Sequence, residues 1–312
     1  MLAARWSRLN FSGGVARNLE EEVGEPLRRF CRKSVDVAAT GWGSILPGKS
    51  IGDVLANIYD DDLYDGVTLQ DLPEKPQFVF NATNLQTGRL VRLQKVRLAD
   101  YSIGEILNPR IKLAVAVAAS SAFPPVLSPV QVDVDFNAWQ DREGTSHFGN
   151  PDYGRSLSLT DGGAYDNLGL ETVDDFANVV VCDAGAPFSM EPEAASLWPK
   201  QAMRALDIAT DQSRGLRKRL LHTEMKVSGR KYAYAAIDGN PAEFDAPRTL
   251  QTESAKTRPL ASIRTRLNPF SDEEQGKLIN WGWYMTDIAV RSHLAKTASA
   301  PTDWPEPRFA LD

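Results

Sequence analysis

Residues 111–122, Ile-Lys-Leu-Ala-Val-Ala-Val-Ala-Ala-Ser-Ser-Ala, are built almost wholly from small apolar side chains, with Lys112 as their one charge. A helix of that composition has no polar face, so it must be enclosed on all sides by other elements. Pro124 and Pro125 follow immediately and act as a helix stop. The chain must therefore assemble layers around this segment. Its 312 residues suffice to do so without a disulfide or a structural metal.

The flanking segments read as those layers. Residues 17–33 carry Leu19, Val23, Leu27 and Phe30 at helical spacing, broken by Pro26 into two short helices or one kinked one. Phe78-Val79-Phe80 is a buried strand that leads to Leu90-Val91-Arg92-Leu93 through a hairpin turning at Gly88. Val130, Val132, Val134 and Phe136 alternate with polar residues, as on a half-exposed strand. Val179-Val180-Val181-Cys182 reads as a core strand of a parallel sheet. A helix is expected from Trp198 to about Met225, and a capping box at Ser271 to Glu274 opens another. Strands alternating with helices predict an α/β fold in one domain. Residues 296–312, with Pro301, Pro305 and Pro307, are expected to form an extended, loosely held tail.

Composition removes several function classes. Apolar residues make up 42% and charged residues 24%, which is ordinary for a globular protein and excludes disorder along most of the chain. The net charge of −6 argues against nucleic-acid binding, which rests on clustered cations. One basic run, Arg214-Gly215-Leu216-Arg217-Lys218-Arg219, reads as the solvated face of a helix. Cys31 and Cys182 are too few for a disulfide framework or a zinc site, and fit buried free thiols in a reducing compartment. With no apolar run of membrane-spanning length and no secretory pattern at Met1 to Trp6, a cytoplasmic location is expected, any targeting segment upstream being left open.

Two clusters can carry chemistry. The first is Asp161-Gly162-Gly163, followed by Tyr165-Asp166-Asn167-Leu168-Gly169. As plain structure it is a glycine turn. As a site, it sets the Asp161 carboxylate at the end of a short strand, with Gly162, Gly163, Asp166 and Asn167 shaping its surroundings. The second is Ala118-Ala119-Ser120-Ser121-Ala122-Phe123-Pro124-Pro125-Val126, whose serines read as satisfied core hydroxyls. Asp60-Asp61-Asp62 reads as a solvated acidic run, and neither a metal nor a cofactor is expected.

Together these clusters resemble the patatin-like phospholipase family, in particular its bacterial members. Phe80-Asn81-Ala82-Thr83-Asn84 through Thr87-Gly88 fits the segment between them in the family. Thr265-Arg266-Leu267 and Leu278-Ile279-Asn280-Trp281-Gly282 resemble its C-terminal region. The likeness runs to about residue 295. It implies a three-layer patatin-like fold with a central, mostly parallel sheet, and a serine acyl hydrolase that cleaves lipid esters through a Ser–Asp dyad without histidine or cofactor. Asp161 matches the base. A lipid or ester substrate and a peripheral contact with a membrane follow as expectations.

The nucleophile is the departure. In such hydrolases it lies in Gly-x-Ser-x-Gly on a sharp strand-to-helix turn, and the expectation is that the chain holds neither that pentapeptide nor the family's glycine-rich oxyanion loop. Asn10-Phe11-Ser12-Gly13-Gly14 lacks the first glycine, so Ser12 is a decoy, and Gly41-Trp42-Gly43-Ser44-Ile45 lacks the last. The expectation is a partial patatin-like domain, residues 1–295, that keeps the base and lacks the N-terminal strand with the serine. Alone it would be inactive, and would pair with a complementing chain or a second copy through an exposed sheet edge. The alternatives are a non-catalytic descendant that binds lipid or a protein, and a metal-dependent hydrolase using Asp161, Asp166 and Asp183.

Overall fold

The computed structural model describes residues 1–35, 50–124, 127–193, 196–264 and 267–312. These fall into two compact units, Met1–Gly169 with Leu267–Pro269, and Leu170–Arg266 with Phe270–Asp312.

The first unit is built on a seven-stranded sheet. In chain order its strands are β1 (Val79–Asn84), β2 (Leu90–Gln94), β3 (Arg97–Asp100), β4 (Gly104–Leu107), β5 (Val130–Asp133), β6 (Trp139–Gln140) and β7 (Ser156–Asp161). Their spatial order is β5-β7-β1-β2-β3-β4-β6. Every neighbouring pair is antiparallel, which corrects the expected parallel sheet. The reason is local: β1 to β4 follow one another through connections far too short for a helical crossover, and only antiparallel neighbours can be joined that way. Gly88 makes the first of these turns at φ +67°, the left-handed region where glycine is favoured.

The small-residue segment forms helix α2 (Leu113–Ser121), and Ala114, Ala116, Ala118 and Ala119 are fully buried, as their composition requires. It lies against β1 and β7 on one side and α1 (Ile51–Tyr59) on the other. Leu55, Leu93, Leu98, Leu157 and Leu159 complete the core with no exposed surface, each contributing about 1.5–3 kcal/mol of burial. Residues 20–31 are helical, passing from a wider π-type turn over Glu20–Gly24 into an α-helix at Glu25, with Pro26 where the wider turn ends.

The second unit contains the parallel pairing. Strand β8 (Asn178–Asp183) runs parallel to β9 (Lys231–Ala236), and the 31-residue helix α3 (Trp198–Ser228) is the crossover between them. Helix α4 (Asp272–His293) opens with the expected capping box, Ser271 Oγ accepting from Glu274 N. The Arg264 guanidinium, helped by the Ser271 amide, holds the Glu274 carboxyl down at about 2. Ala233 and Ala235 of β9 pack on Trp281, Tyr284 and Met285 of α4.

Three further expectations change here. The C-terminal segment is not loosely held: Trp304 and Leu311 are buried in this core. Asn280, itself fully buried, donates to the carbonyls of Glu306 and Phe309 and accepts from Glu306 N, each at 2.9 Å. The basic run of α3 is not one solvated face, because successive residues project 100° apart on a helix. Arg214 meets Asp183, Arg217 meets Glu171, and Lys218 lies over the Tyr234 ring. Both cysteines are free thiols, but Cys182 is exposed and Cys31 only half-buried. Among the described residues no helix is long and apolar enough to cross a membrane.

Candidate active site

Strand β7 is held on both sides, by β5 and by β1, and Asp161 is its last residue. Asp161 lies opposite Ala82 of β1, and its carbonyl accepts from Thr83 Oγ1 at 2.9 Å. Its amide donates to Ala122 O at 3.1 Å, just past the end of α2. Thr160 Oγ1 donates to the same carbonyl at 2.8 Å, and Gly162 N reaches Ser120 O at 3.4 Å. The two clusters singled out in the sequence, 118–126 and 161–169, are thus in direct contact.

Beyond Asp161 the chain turns at once into a single helical turn, Gly163–Asp166. Gly162 passes so close to β1 that a Cβ there would sit 2.5 Å from Asn81 O. Gly163 donates its N–H to Asp161 Oδ1 at 2.6 Å. A Cβ on Gly163 would fall between Asn167 Oδ1 and Asp161 Oδ1, so the bare backbone leaves both side chains their places. Asp166 is buried, and its Oδ1 accepts from Leu168 N at 3.1 Å, which closes the turn. Asn167 is exposed at the turn's end. Gly169, at φ +64°, lets the backbone pass Asn81.

The carboxylate is half-buried. Burial pushes the Asp161 carboxyl above its ordinary value, and the Gly163 amide partly offsets this by favouring the charged form. A carboxylate so placed holds a proton more readily than a solvated one, as a general base must.

The serines are placed as follows. Ser12 lies in a two-residue hairpin, Phe11–Ser12 with Val15–Ala16, turned by Gly13 and Gly14 at φ +59° and +78°. It is exposed on this hairpin, not held on a strand-to-helix turn. Ser121 Oγ donates back to Val117 O at 2.8 Å. Ser120 lends its carbonyl to Gly162. The segment around Ser44 lies outside the described residues.

One pentapeptide of the Gly-x-Ser-x-Gly form does occur in the chain, Gly48-Lys49-Ser50-Ile51-Gly52, contrary to the expectation above. Ser50 is the N-cap of α1 at φ −85° and ψ 165°, an unstrained extended conformation. Its Oγ accepts from Asp53 N at 3.1 Å, and its own N–H donates to Asp53 Oδ2 at 2.8 Å. Gly52 is required because α1 abuts Pro129 O and Leu127 O, which a Cβ would meet at 2.7 and 2.9 Å. Ser50 thus serves as a helix cap and Gly52 as a point of close approach, while Gly48 and Lys49 lie outside the described residues. Among the described residues no serine hydroxyl is hydrogen-bonded to Asp161, whose carboxylate bond is to Gly163 N.

Other polar residues of interest have structural roles. Asn84 Nδ2 and Thr87 Oγ1 both donate to buried Asp100 at 2.9 Å, and Ser102 N donates to its other oxygen, so residues 80–88 are locked in their hairpin. In the second unit, Asp183 accepts from Gly185 N and the Tyr234 hydroxyl and faces Arg214. Desolvation and Asp183 together push the Tyr234 hydroxyl up. His147 bonds Ser146, His222 bonds Tyr232, and His293 stacks on Tyr232. Among the described residues no group of three or more His, Cys, Asp or Glu side chains is arranged to hold a metal ion.

A family model of patatin-like phospholipases matches residues 12–174, a span covering more than half the chain and containing Asp161 and its turn. No curated protein matches the chain. The chain belongs to the patatin-like phospholipase family.

Proposed function

We propose that this chain is the base-bearing portion of a Ser–Asp lipid acyl hydrolase. The observation that carries the reading is Asp161: its backbone is fixed by β1 and by the residues ending α2, one carboxylate oxygen is held by Gly163 N, and burial raises its proton affinity. Gly162 and Gly163 let the backbone close on itself, while Asp166 and Asn167 shape the turn. Residues 1–295 are the patatin-like portion in this reading.

The chemistry follows from the pairing of a weak nucleophile with a base. Asp161 removes the proton from a serine Oγ as that oxygen attacks the ester carbonyl. Amide donors at the family's glycine-rich loop stabilise the oxyanion of the tetrahedral intermediate. The proton returns from Asp161 to the departing alcohol, leaving an acyl-serine. A water deprotonated by Asp161 then releases the fatty acid and regenerates the serine.

None of the described serines bonds Asp161, and in this reading the nucleophile is carried by a Gly-x-Ser-x-Gly turn on an adjoining strand that pairs with this chain's sheet. The test is hydrolysis of p-nitrophenyl esters by the chain alone and with a segment bearing a Gly-x-Ser-x-Gly turn supplied in cis or in trans. Turnover is expected only in the second case. Asp161→Asn is expected to reduce it about a hundred- to ten-thousandfold. Turnover by the chain alone, or an unaffected Asp161→Asn, rejects this reading. Ester binding without turnover in the completed protein favours the non-catalytic lipid-binding alternative.

A further inference from the structure

The second unit holds a cavity of about 300 Å³ between α4 and the ends of β8 and β9. Cys182 and Asp183 close β8, and Ala235 and Ala236 close β9, so the cavity lies at the carboxyl ends of two parallel strands. Open α/β sheets receive ligands at that end, in the crevice left where the chain departs from each strand. Leu278, Trp281 and Met285 of α4 form one wall, and Ala235, Ala236 and Ile237 form the other. The methyl groups of the two alanines are too short to reach across, which keeps the space open.

Gly282 also lines the cavity, from the interior of α4, and is exposed. Glycine at such a position weakens a helix relative to alanine. Close packing accounts for the other glycine of α4, Gly276, where a Cβ would lie 2.1 Å from the Phe309 ring. A Cβ on Gly282 would meet no atom within 4 Å. What its missing side chain leaves free is the mouth of the cavity.

The polar groups around the cavity fix the class of ligand. Asp183, the one charged residue on its walls among the described residues, accepts from Gly185 N and the Tyr234 hydroxyl and faces Arg214 at 3.5 Å, so its charge is already compensated. Trp281 Nε1 is spent on Ile237 O at 2.6 Å. Thr286 Oγ1 donates to Gly282 O at 2.7 Å and lies 3.6 Å from Cys182 Sγ. With its proton committed, the Thr286 hydroxyl is left as an acceptor, and a thiol is a weak donor to it. Apolar walls, no uncompensated charge and one acceptor suit a neutral molecule with a single N–H or O–H. A cavity of about 150 Å³ takes one benzene, so this one has room for two fused rings.

We propose that this cavity binds a neutral bicyclic aromatic molecule of the size of indole, with its rings between α4 and β9 and its N–H donated to Thr286 Oγ1. The site goes beyond the ester chemistry at Asp161 and uses none of that site's residues. The experiment is isothermal titration of the full chain with indole, together with the rate at which dithiobis(nitrobenzoate) modifies Cys182. Cys182 is exposed, and Cys31→Ser leaves it as the one thiol. Saturable heat is expected, and modification of Cys182 should slow in step with the bound fraction. Gly282→Leu puts a side chain into the mouth and is expected to abolish both effects. Leucine is also the better helix former, and circular dichroism checks the fold. Thr286→Val keeps the shape but removes the acceptor, and is expected to weaken indole binding about three- to tenfold.

The proposal is overturned if indole gives no saturable heat, or if bound indole leaves Cys182 as reactive as before. It is equally overturned if folded Gly282→Leu or Thr286→Val binds indole like the parent. Should Gly282→Leu unfold, protection of Cys182 and the Thr286→Val titration decide. Because the readouts are binding and thiol modification, failure here leaves the ester chemistry at Asp161 standing, and its failure leaves this site standing.

Discussion

The backbone amide of Gly163 donates to Asp161 Oδ1 at 2.6 Å, across a turn that begins where β7 ends. This bond fixes the side chain of the proposed base and favours its charged form. Burial acts in the opposite sense and is the larger influence, so the carboxyl lies above its ordinary value of 3.8.

That balance has a consequence for stability. A carboxyl whose folded value is raised stabilises the fold fully below the unfolded value, and this contribution is lost as pH rises through the folded value. Asp161→Asn can still accept from Gly163 but cannot ionise. It is expected to melt above the parent at neutral pH, with the difference vanishing as pH falls below 3.8. Thermal melts of both proteins across this range check it, and a variant less stable at neutral pH contradicts it.

The two glycines after Asp161 should respond differently to alanine. A Cβ at Gly162 would lie 2.5 Å from the Asn81 carbonyl oxygen, a backbone atom of a central strand that has nowhere to go. Gly162→Ala is expected to cost about 1–3 kcal/mol. At Gly163 the nearest atoms are two side-chain tips, Asn167 Oδ1 at 2.6 Å and Asp161 Oδ1 at 2.9 Å, which can shift where a backbone atom cannot. Gly163→Ala is expected to stay within about 1 kcal/mol of the parent. Urea titrations of the pair test the order.

Ser50 separates motif from mechanism. As the N-cap of α1 its replacement by alanine is expected to cost about 1 kcal/mol. It should leave fluorophosphonate labelling of the completed enzyme unchanged. Labelling that disappears with Ser50→Ala while the fold persists would instead make the Gly48–Gly52 pentapeptide the nucleophile turn.

Asn280 ties residues 306–309 to α4 through three hydrogen bonds. Asn280→Ala removes the side chain that bonds the Phe309 carbonyl and the Glu306 amide, while the Glu306 carbonyl still accepts from Phe309 N, at an expected cost of about 2–4 kcal/mol. Limited proteolysis should then cut first near the C-terminus, at residues the parent protects.

The sequence was informative where a rule is local. A small-residue run stopped by prolines had to be a buried helix, and α2 is one. Ser271 and Glu274 announced a capping box, and they make it. Gly88 marked a hairpin turn, and the hairpin is there. Errors came where one pattern serves two arrangements. A continuous apolar run such as Phe78-Val79-Phe80 suits a parallel or an antiparallel sheet alike, and the lengths of the connections decided between them. Proline content in residues 296–312 suggested a loose tail, yet Trp304 and Leu311 had apolar surface to bury, and the core of the second unit received it.

The sequence by itself determined the family, through Asp161 with its glycines and the small-residue helix, because each is a local pattern of residue types. Only the tertiary structure decided that these two segments touch, with Asp161 N and Thr160 Oγ1 both bonded to Ala122 O across 38 or 39 residues of chain. It also decided that Ser50 is a helix cap and that a cavity lies between α4 and the ends of β8 and β9. Hydrogen-bond partners distant in sequence and the space left between elements depend on how those elements pack, and no pattern within a single segment encodes that.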